Sequence, residues 1–376
     1  MSDLSPGGML ELIQRLPTSG ARAVEPFVVG EARYLAVPQL ATDLPGQPPS
    51  LTVGNSDTEL LVFRLENGRF VEHQRLPVPG GEDAESFEIG GRRFLATASL
   101  RRGEGPYEMN LASTIFEWQD GSLQAHQHID TVAAKQWTFF GFDGRSFLAL
   151  AQGAVPGGST APAGPPSRIY EWNGDRFTLF QDVVSAWGYN FHFFETAGER
   201  LLAYADHAVA SHLLRWNGRS FEHFHDLEGS SGRAFCHFRA DAEDWLVFAC
   251  LLGETWLLRW ADGRFVRHQR LSGPGGRELE WLESQGGGHL IQTNFIQGSR
   301  EAPQPVLRSV VYAWRGGRLD PVDDFATVGG TDAAAFAVGG QTWLAVSNSL
   351  APDLRFRSET SIYRLHLEIG MEAPSA

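Results

Sequence analysis

The sequence predicts an all-β protein, a closed seven-bladed β-propeller of four-stranded antiparallel blades. Three observations predict it. A hairpin motif recurs seven times at spacings of about 44 to 54 residues, close to the period of a four-stranded blade. A second hairpin lies upstream of each copy. The N-terminal segment resembles the outermost strand of a blade, and the seventh copy lacks that strand.

The hairpin motif is clearest in Phe63-Arg-Leu65-Glu-Asn-Gly68-Arg-Phe70, Tyr170-Glu-Trp172-Asn-Gly174 and Leu258-Arg-Trp260-Ala-Asp-Gly263-Arg-Phe265. Alternate residues share one face of a strand, so the aromatic and the Trp point the same way. Asn-Gly and Asp-Gly supply the positive φ angles of a tight turn. The series Trp118, Trp172, Trp216, Trp260 and Trp314 is predicted to pack between blades. The upstream hairpin reads Phe87-Glu-Ile-Gly-Gly-Arg-Arg-Phe94 and Phe336-Ala-Val-Gly-Gly-Gln-Thr-Trp343. Two hairpins give strands A to D, from the channel outwards. Glu11-Leu12-Ile13-Gln14-Arg15-Leu16-Pro17 matches outer strand Glu72-His73-Gln74-Arg75-Leu76-Pro77 and should complete the last blade. That pairing joins the ends of the ring and removes an exposed edge. The predicted organisation is an N-terminal tail (1–9), one propeller domain (10–370) and a C-terminal tail (371–376).

Composition narrows the function classes. The chain has 376 residues, 42% hydrophobic and 20% charged, which suits a large core. A net charge of −14 without a basic stripe argues against nucleic acid and against an anionic membrane surface. Lys135 is the single lysine beside many arginines, the bias of a GC-rich, bacterial genome. Cys236 and Cys250 fall on neighbouring strands, where a bridge is geometrically open, but buried thiols in a reducing compartment are the favoured reading. The N-terminus has no basic segment followed by an apolar run, so a cytoplasmic location is expected.

The pattern Phe-x-Ile/Val-Gly-Gly-x-x-Phe/Trp-Leu-Ala-Val, followed by Ile-Tyr-x-Trp-x-Gly-x-Phe, resembles the epilepsy-associated repeat, also called EPTP. That repeat builds the seven-bladed propeller of the leucine-rich glioma-inactivated proteins, and the resemblance covers about residues 10 to 369. It implies the propeller fold. In animal members it implies an extracellular protein-binding surface, from which this chain departs in lacking a secretion signal and a leucine-rich domain. Some such propellers hold a channel cation such as calcium through acidic strand-A residues, and the nearest match here is Asp332.

Candidate site residues follow from the propeller geometry. Strand A lines the channel, and the D-to-A and B-to-C connections share one face. The B-to-C connections near 38–57, 99–113, 153–167, 295–308 and 348–360 are long, and those near 206–211 and 250–254 are short. The long ones should wall a cup over the channel, with residues 153–166 as a lid or a passive surface loop. Aligning the A strands at the position held mostly by Phe gives an equivalent position two residues earlier. It holds Glu25, Glu85, Thr138, His192, Cys236, Glu280 and Ala334. The residues just before add Asp83, Lys135, Gln136, Asn190, Glu278 and Asp332. This ring is polar enough to bind a ligand, although solvated channel walls are polar as well.

In the fourth blade, Trp187, Tyr189, Phe191, Phe193 and Phe194 surround His192, with Asp206, His207 and His212 to follow. The cluster reads either as an acid/base group in an aromatic cradle or as a core histidine with two exposed ones. No zinc motif, phosphate loop, dinucleotide fingerprint or nucleophile elbow is present. The first functional expectation is therefore a propeller that binds a small molecule or a peptide or protein on its loop-rich face and channel. The alternative is a lyase, cyclase or hydrolase with Lys135 and His192 as catalytic groups. In either case Glu25, Glu85, Thr138, Trp187, Tyr189, Asn190, Cys236 and Glu280 would contact the ligand.

Overall fold

The hairpins form where the turn chemistry places them. Asn67 and Gly68 (φ 48° and 76°), Asp120 and Gly121 (48° and 84°), and Asp262 and Gly263 (51° and 76°) all adopt the left-handed conformation of a primed two-residue turn. The computed structural model describes residues 8–153, 165–229, 231–284 and 287–367. Within them lie seven four-stranded antiparallel sheets and one small two-stranded hairpin. The innermost strands of blades 1 to 7 are Glu25–Val29, Gly81–Ile89, Ala134–Phe142, Gly188–Thr196, Gly232–Ala240, Gly276–Ser284 and Gly330–Val338. Each packs on the next, and the seventh packs on the first, so the ring closes.

Closure uses the N-terminal strand. Leu10–Ser19 pairs antiparallel with Arg357–Leu365 as the outer strand of blade 7. Leu16 is buried there among Val24, Leu35 and Ile362 of blades 1 and 7. The two predicted tails lie largely outside the described residues, but Met9 is buried and its N–H donates to Asp323 of blade 6.

Blades pack through the predicted aromatics. Trp118 of blade 2 lies 4.6 Å from Tyr34 of blade 1, Trp172 lies 5.4 Å from Phe94, and Trp314 lies 4.8 Å from Trp245, measured between ring centroids. A second fastening was not anticipated. Every outer strand carries a bulge in its pairing with strand C. In five of the seven the bulge presents a glutamine to the following blade, and in blades 4 and 6 the matching residues are His225 and Asp323. Gln127 accepts from the N–H of Phe177 (2.9 Å) and donates to its carbonyl (2.8 Å). Gln14, Gln74, Gln181 and Gln269 clasp Phe70, Leu123, Phe221 and Leu319 in the same way. His73, His126 and His268, one residue earlier in their strands, bond the carbonyls of Gly121, Asp175 and Gly317 in the next blade. These rim histidines are fasteners between blades.

Connections between strands B and C follow the expected pattern. Those of blades 1, 2, 6 and 7 run over 38–58, 100–109, 295–305 and 349–356, and those of blades 4 and 5 take only 207–210 and 251–254. The first two are tied together: Arg101 donates to Ser56 Oγ and the Thr52 carbonyl, and the Tyr107 hydroxyl accepts the Gly54 N–H. Most of the blade 3 loop, residues 154–164, falls outside the described residues, and with it the expected lid. No helix among the described residues is long and apolar enough to cross a membrane.

Candidate functional site

Three tiers of side chains line the channel, and a backbone irregularity sets them apart. In six blades the pairing of strand A with strand B skips one residue near its start: Glu82, Lys135, Tyr189, Arg233, Arg277 and Thr331. Each is the extra residue of a β-bulge. A regular strand would turn it to the opposite face from its successor, and a bulge re-aims it. Arg22 holds the corresponding place ahead of the first strand A. The residue before each bulge is small: Ala21, Gly81, Ala134, Gly188, Gly232, Gly276 and Gly330. Space explains this, because a Cβ at Gly232 would sit 2.3 Å from Ser211 Oγ, and one at Gly188 2.5 Å from Ser167 Oγ.

The two inner tiers are the positions singled out by sequence, and they stitch blades together. Glu25 accepts the N–H of Ser86 (3.0 Å), Glu85 that of Phe139 (2.8 Å) and Glu280 that of Ala335 (3.1 Å). One step up, Asp83 accepts from Trp137 (2.7 Å), Gln136 from Phe191 (3.0 Å) and Asp332 from Val24 (2.8 Å). Thr138 donates to the Phe191 carbonyl (2.9 Å). Every one of these bonds crosses from one blade to the next. Cys236 is buried among apolar side chains of blades 5 and 6, and burial pushes its thiol up.

His192 Nε2 accepts the backbone N–H of His237 at 3.1 Å, so His192 serves as another stitch. Burial brings its pKa down to about 4, which keeps the ring neutral. It does not line the channel cavity, and neither do Thr138, Trp187 or Cys236. Asp206 is fully buried and accepts from the N–H groups of Ala186, Trp187, Ala208 and Val209, bracing two connections. Cys236 and Cys250 are both buried and unbridged, Cys236 pairing with Val247 and Cys250 with Gly232 on separate rungs.

The outer tier is different. Arg22, Glu82, Lys135, Tyr189 and Arg277 face a cavity of about 220 Å³ that continues down to Glu25, Glu85, Glu280 and Asp332. The carboxylate of Glu82 is approached by Lys135 at 3.3 Å, Arg22 at 3.7 Å and Arg277 at 3.9 Å. Burial raises the Glu82 carboxyl, but these three cations outweigh it and bring it down to about 2. Tyr189 lies beneath Arg233 (3.7 Å to the ring centroid), Lys135 (5.2 Å) and Arg277 (5.2 Å). Burial raises its phenol too, and the surrounding cations hold it below its ordinary value. Four cations and one carboxylate thus form a positive collar. Sequence alignment reached Lys135 alone of this tier's charged residues. The small residue before each bulge was the available signal.

Beneath the collar, burial pushes the carboxyls up: Asp332 to about 6, Asp83 and Glu280 to about 7, Glu25 to about 8. A channel cation at Asp332 finds no ready cage. Both Asp332 oxygens accept backbone N–H groups, from Val24 and Ala333. Among the described residues no three His, Cys, Asp or Glu side chains are grouped to hold a metal ion.

Comparison with known proteins agrees with this architecture. The EPTP domain matches residues 9–50, 69–119, 122–173 and 220–261. The human thrombospondin-type laminin G domain and EAR repeat-containing protein is 32% identical over 140 residues, covering 37% of this chain and 19% of the relative. Its mouse counterpart is 30% identical over 169 residues, covering 44% and 23%. The matched regions thus span less than a quarter of the relatives' length, and both relatives are mammalian, which lends no support to a bacterial source. With seven repeats closed into seven blades, and the EPTP profile matched in four stretches, the chain belongs to the EPTP, or EAR-repeat, β-propeller family.

Proposed function

We propose that this propeller is a binding module that takes its ligand at the loop-rich end of the central channel. One observation carries the reading: the bulged tier offers its side chains to a cavity, while the tiers below are engaged in holding blades together. A rigid, stitched ring under a polar pocket is a pre-organised receptor. The enzyme alternative needs an acid or base free to move a proton. Of its candidates, Lys135 pairs with Glu82, His192 accepts the His237 N–H, and the carboxylates of Glu25, Glu85 and Glu280 each accept a backbone N–H of the next blade. Cytoplasmic residence is part of the proposal and is supported by the two unbridged cysteines, which need no oxidising compartment.

The test is a thermal-shift screen of the full chain with small acids, bases, neutral sugars and short peptides, each hit repeated on Tyr189→Ala. Tyr189 is chosen because it forms the floor beneath the cations. Ligands whose stabilising effect disappears in the variant support the reading. Hits indifferent to Tyr189, or no hit in any class, overturn it.

A further inference from the structure

The collar carries hydrogen-bonding capacity that the protein itself does not use. Each guanidinium has five N–H donors in a fixed fork. Neither the Arg22 nor the Arg277 guanidinium donates a hydrogen bond to any described residue, since their contacts with Glu82 are ion pairs at 3.7 and 3.9 Å. Arg22 Nε, the atom nearest Glu82, is fully buried without a hydrogen-bond partner. Buried donors of this kind are costly unless satisfied. Lys135 spends one of its three N–H bonds, on Glu82 at 3.3 Å. Arg233 commits its Nη1 elsewhere, to His207 Nδ1 and the carbonyls of Ser231 and Gly232. Four cations therefore meet one carboxylate and leave three positive charges unbalanced within the tier.

We propose that the channel mouth binds a small, doubly charged oxyanion, of the sulfate, phosphate or dicarboxylate class, between the guanidinium groups of Arg22 and Arg277 and the ammonium group of Lys135. The inference rests on the binding reading above and adds the chemistry of the ligand. Glu82 already shows that a carboxylate is held there, drawn by the same three cations. Planar guanidinium forks suit carboxylate and phosphate oxygens in pairs. The cavity sets the size: about 220 Å³ is some seven liquid-water volumes, below the range of drug-sized ligands. The groups facing the collar from below are Asp83, Glu278 and Asp332, then Glu25, Glu85 and Glu280, all raised by burial. While they hold protons, the positive tier prevails at the mouth.

The experiment is isothermal titration of the full chain with sulfate and with malonate, at constant ionic strength set by chloride. Both anions are doubly charged at pH 7.5, where the titration is run. The expected result is saturable binding at one site at that pH. Arg277→Gln and Arg22→Gln should each weaken binding by about tenfold or more. Arg277→Lys, which keeps the charge and loses the fork, should fall between wild type and Arg277→Gln, and it decides the matter if a glutamine variant fails to fold. Absence of saturable binding by either anion overturns the proposal, as does binding indifferent to Arg22 and Arg277. If only basic or neutral compounds give Tyr189-dependent hits in the screen, the oxyanion assignment falls while the binding reading stands.

Discussion

Replacing Glu280 by glutamine should stabilise this protein far more at pH 8 than at pH 5. Glu280 lines the channel and accepts the Ala335 N–H through Oε1, a role that a glutamine carbonyl can keep. Burial first, then the charge of Asp332, raises its pKa from 4.5 to about 7. A carboxyl raised in the folded state binds its proton more tightly there than in the unfolded chain. Its linkage therefore favours folding at low pH, and that advantage fades as pH rises from about 4.5 through about 7. At pH 8 the ionised form weakens the fold by on the order of 3 kcal/mol relative to a neutral isostere. With the unfolding entropy expected of a chain this long, that corresponds to about 4 °C in Tm. The assay is thermal unfolding by circular dichroism, wild type against Glu280→Gln, every half unit from pH 5 to 8.5. The curves should lie closest at pH 5, where about a quarter of the difference has developed, separate progressively through pH 7 and run apart above it. A variant equal to or less stable than wild type at pH 8 would refute the account of a buried, protonated ring.

Asp332, Asp83 and Glu25, raised to about 6, 7 and 8, act in the same direction, so wild-type Tm should climb as pH falls from 8.5 towards 5. Glu82 acts oppositely: its depressed pKa makes a contribution present above about 4.5 and lost as pH falls towards 2, so stability should turn down again in strong acid. Gln127→Leu removes both bonds to the backbone of buried Phe177 and should cost about 2 kcal/mol in chemical denaturation; an unchanged midpoint would deny the clasp its role. Leu16→Asp places a charge in the closing seam and should open the ring, read as early elution in size exclusion and rapid proteolysis. Both cysteines should resist thiol reagents in the native state and react on unfolding, with no mass change on prior reduction; fast labelling of either would contradict their burial.

The ring itself was legible because its signals are local and repeated. Turn dipeptides such as Asn67-Gly68 fix hairpins, and six Gly-containing turns among seven copies of the motif in register fix the blade count. Closure was legible because Leu10–Ser19 resembles the outer strands it imitates. The clasps were harder to see. Gln14, Gln74, Gln127, Gln181 and Gln269 sit on exposed-looking strands, and their partners lie roughly 40 to 56 residues away in the neighbouring blade. Polar residues in a strand read as solvent-facing when the acceptor belongs to another repeat.

The site was half legible, and the reason is the bulge. Alternation along strand A correctly sends Glu25, Glu85 and Glu280 to the channel, and on that logic their polarity reads as function. Once neighbouring blades are in place, those side chains answer backbone N–H groups that would otherwise be stranded on the inner edge of each sheet. An innermost strand has an unpaired edge like any other, and here the edge is satisfied by side chains of the preceding blade. Polarity in the channel is thus first a consequence of closing a ring of sheets. Function has to be sought where polarity exceeds that need. The tier of Arg22, Lys135 and Arg277 does exceed it: the bulge takes Lys135 and Arg277 out of the ladder, Arg22 holds the matching place ahead of its strand, and all three line the cavity at the mouth. A pattern search that assumes strict alternation passes over them, because they occupy the one residue per strand that breaks it.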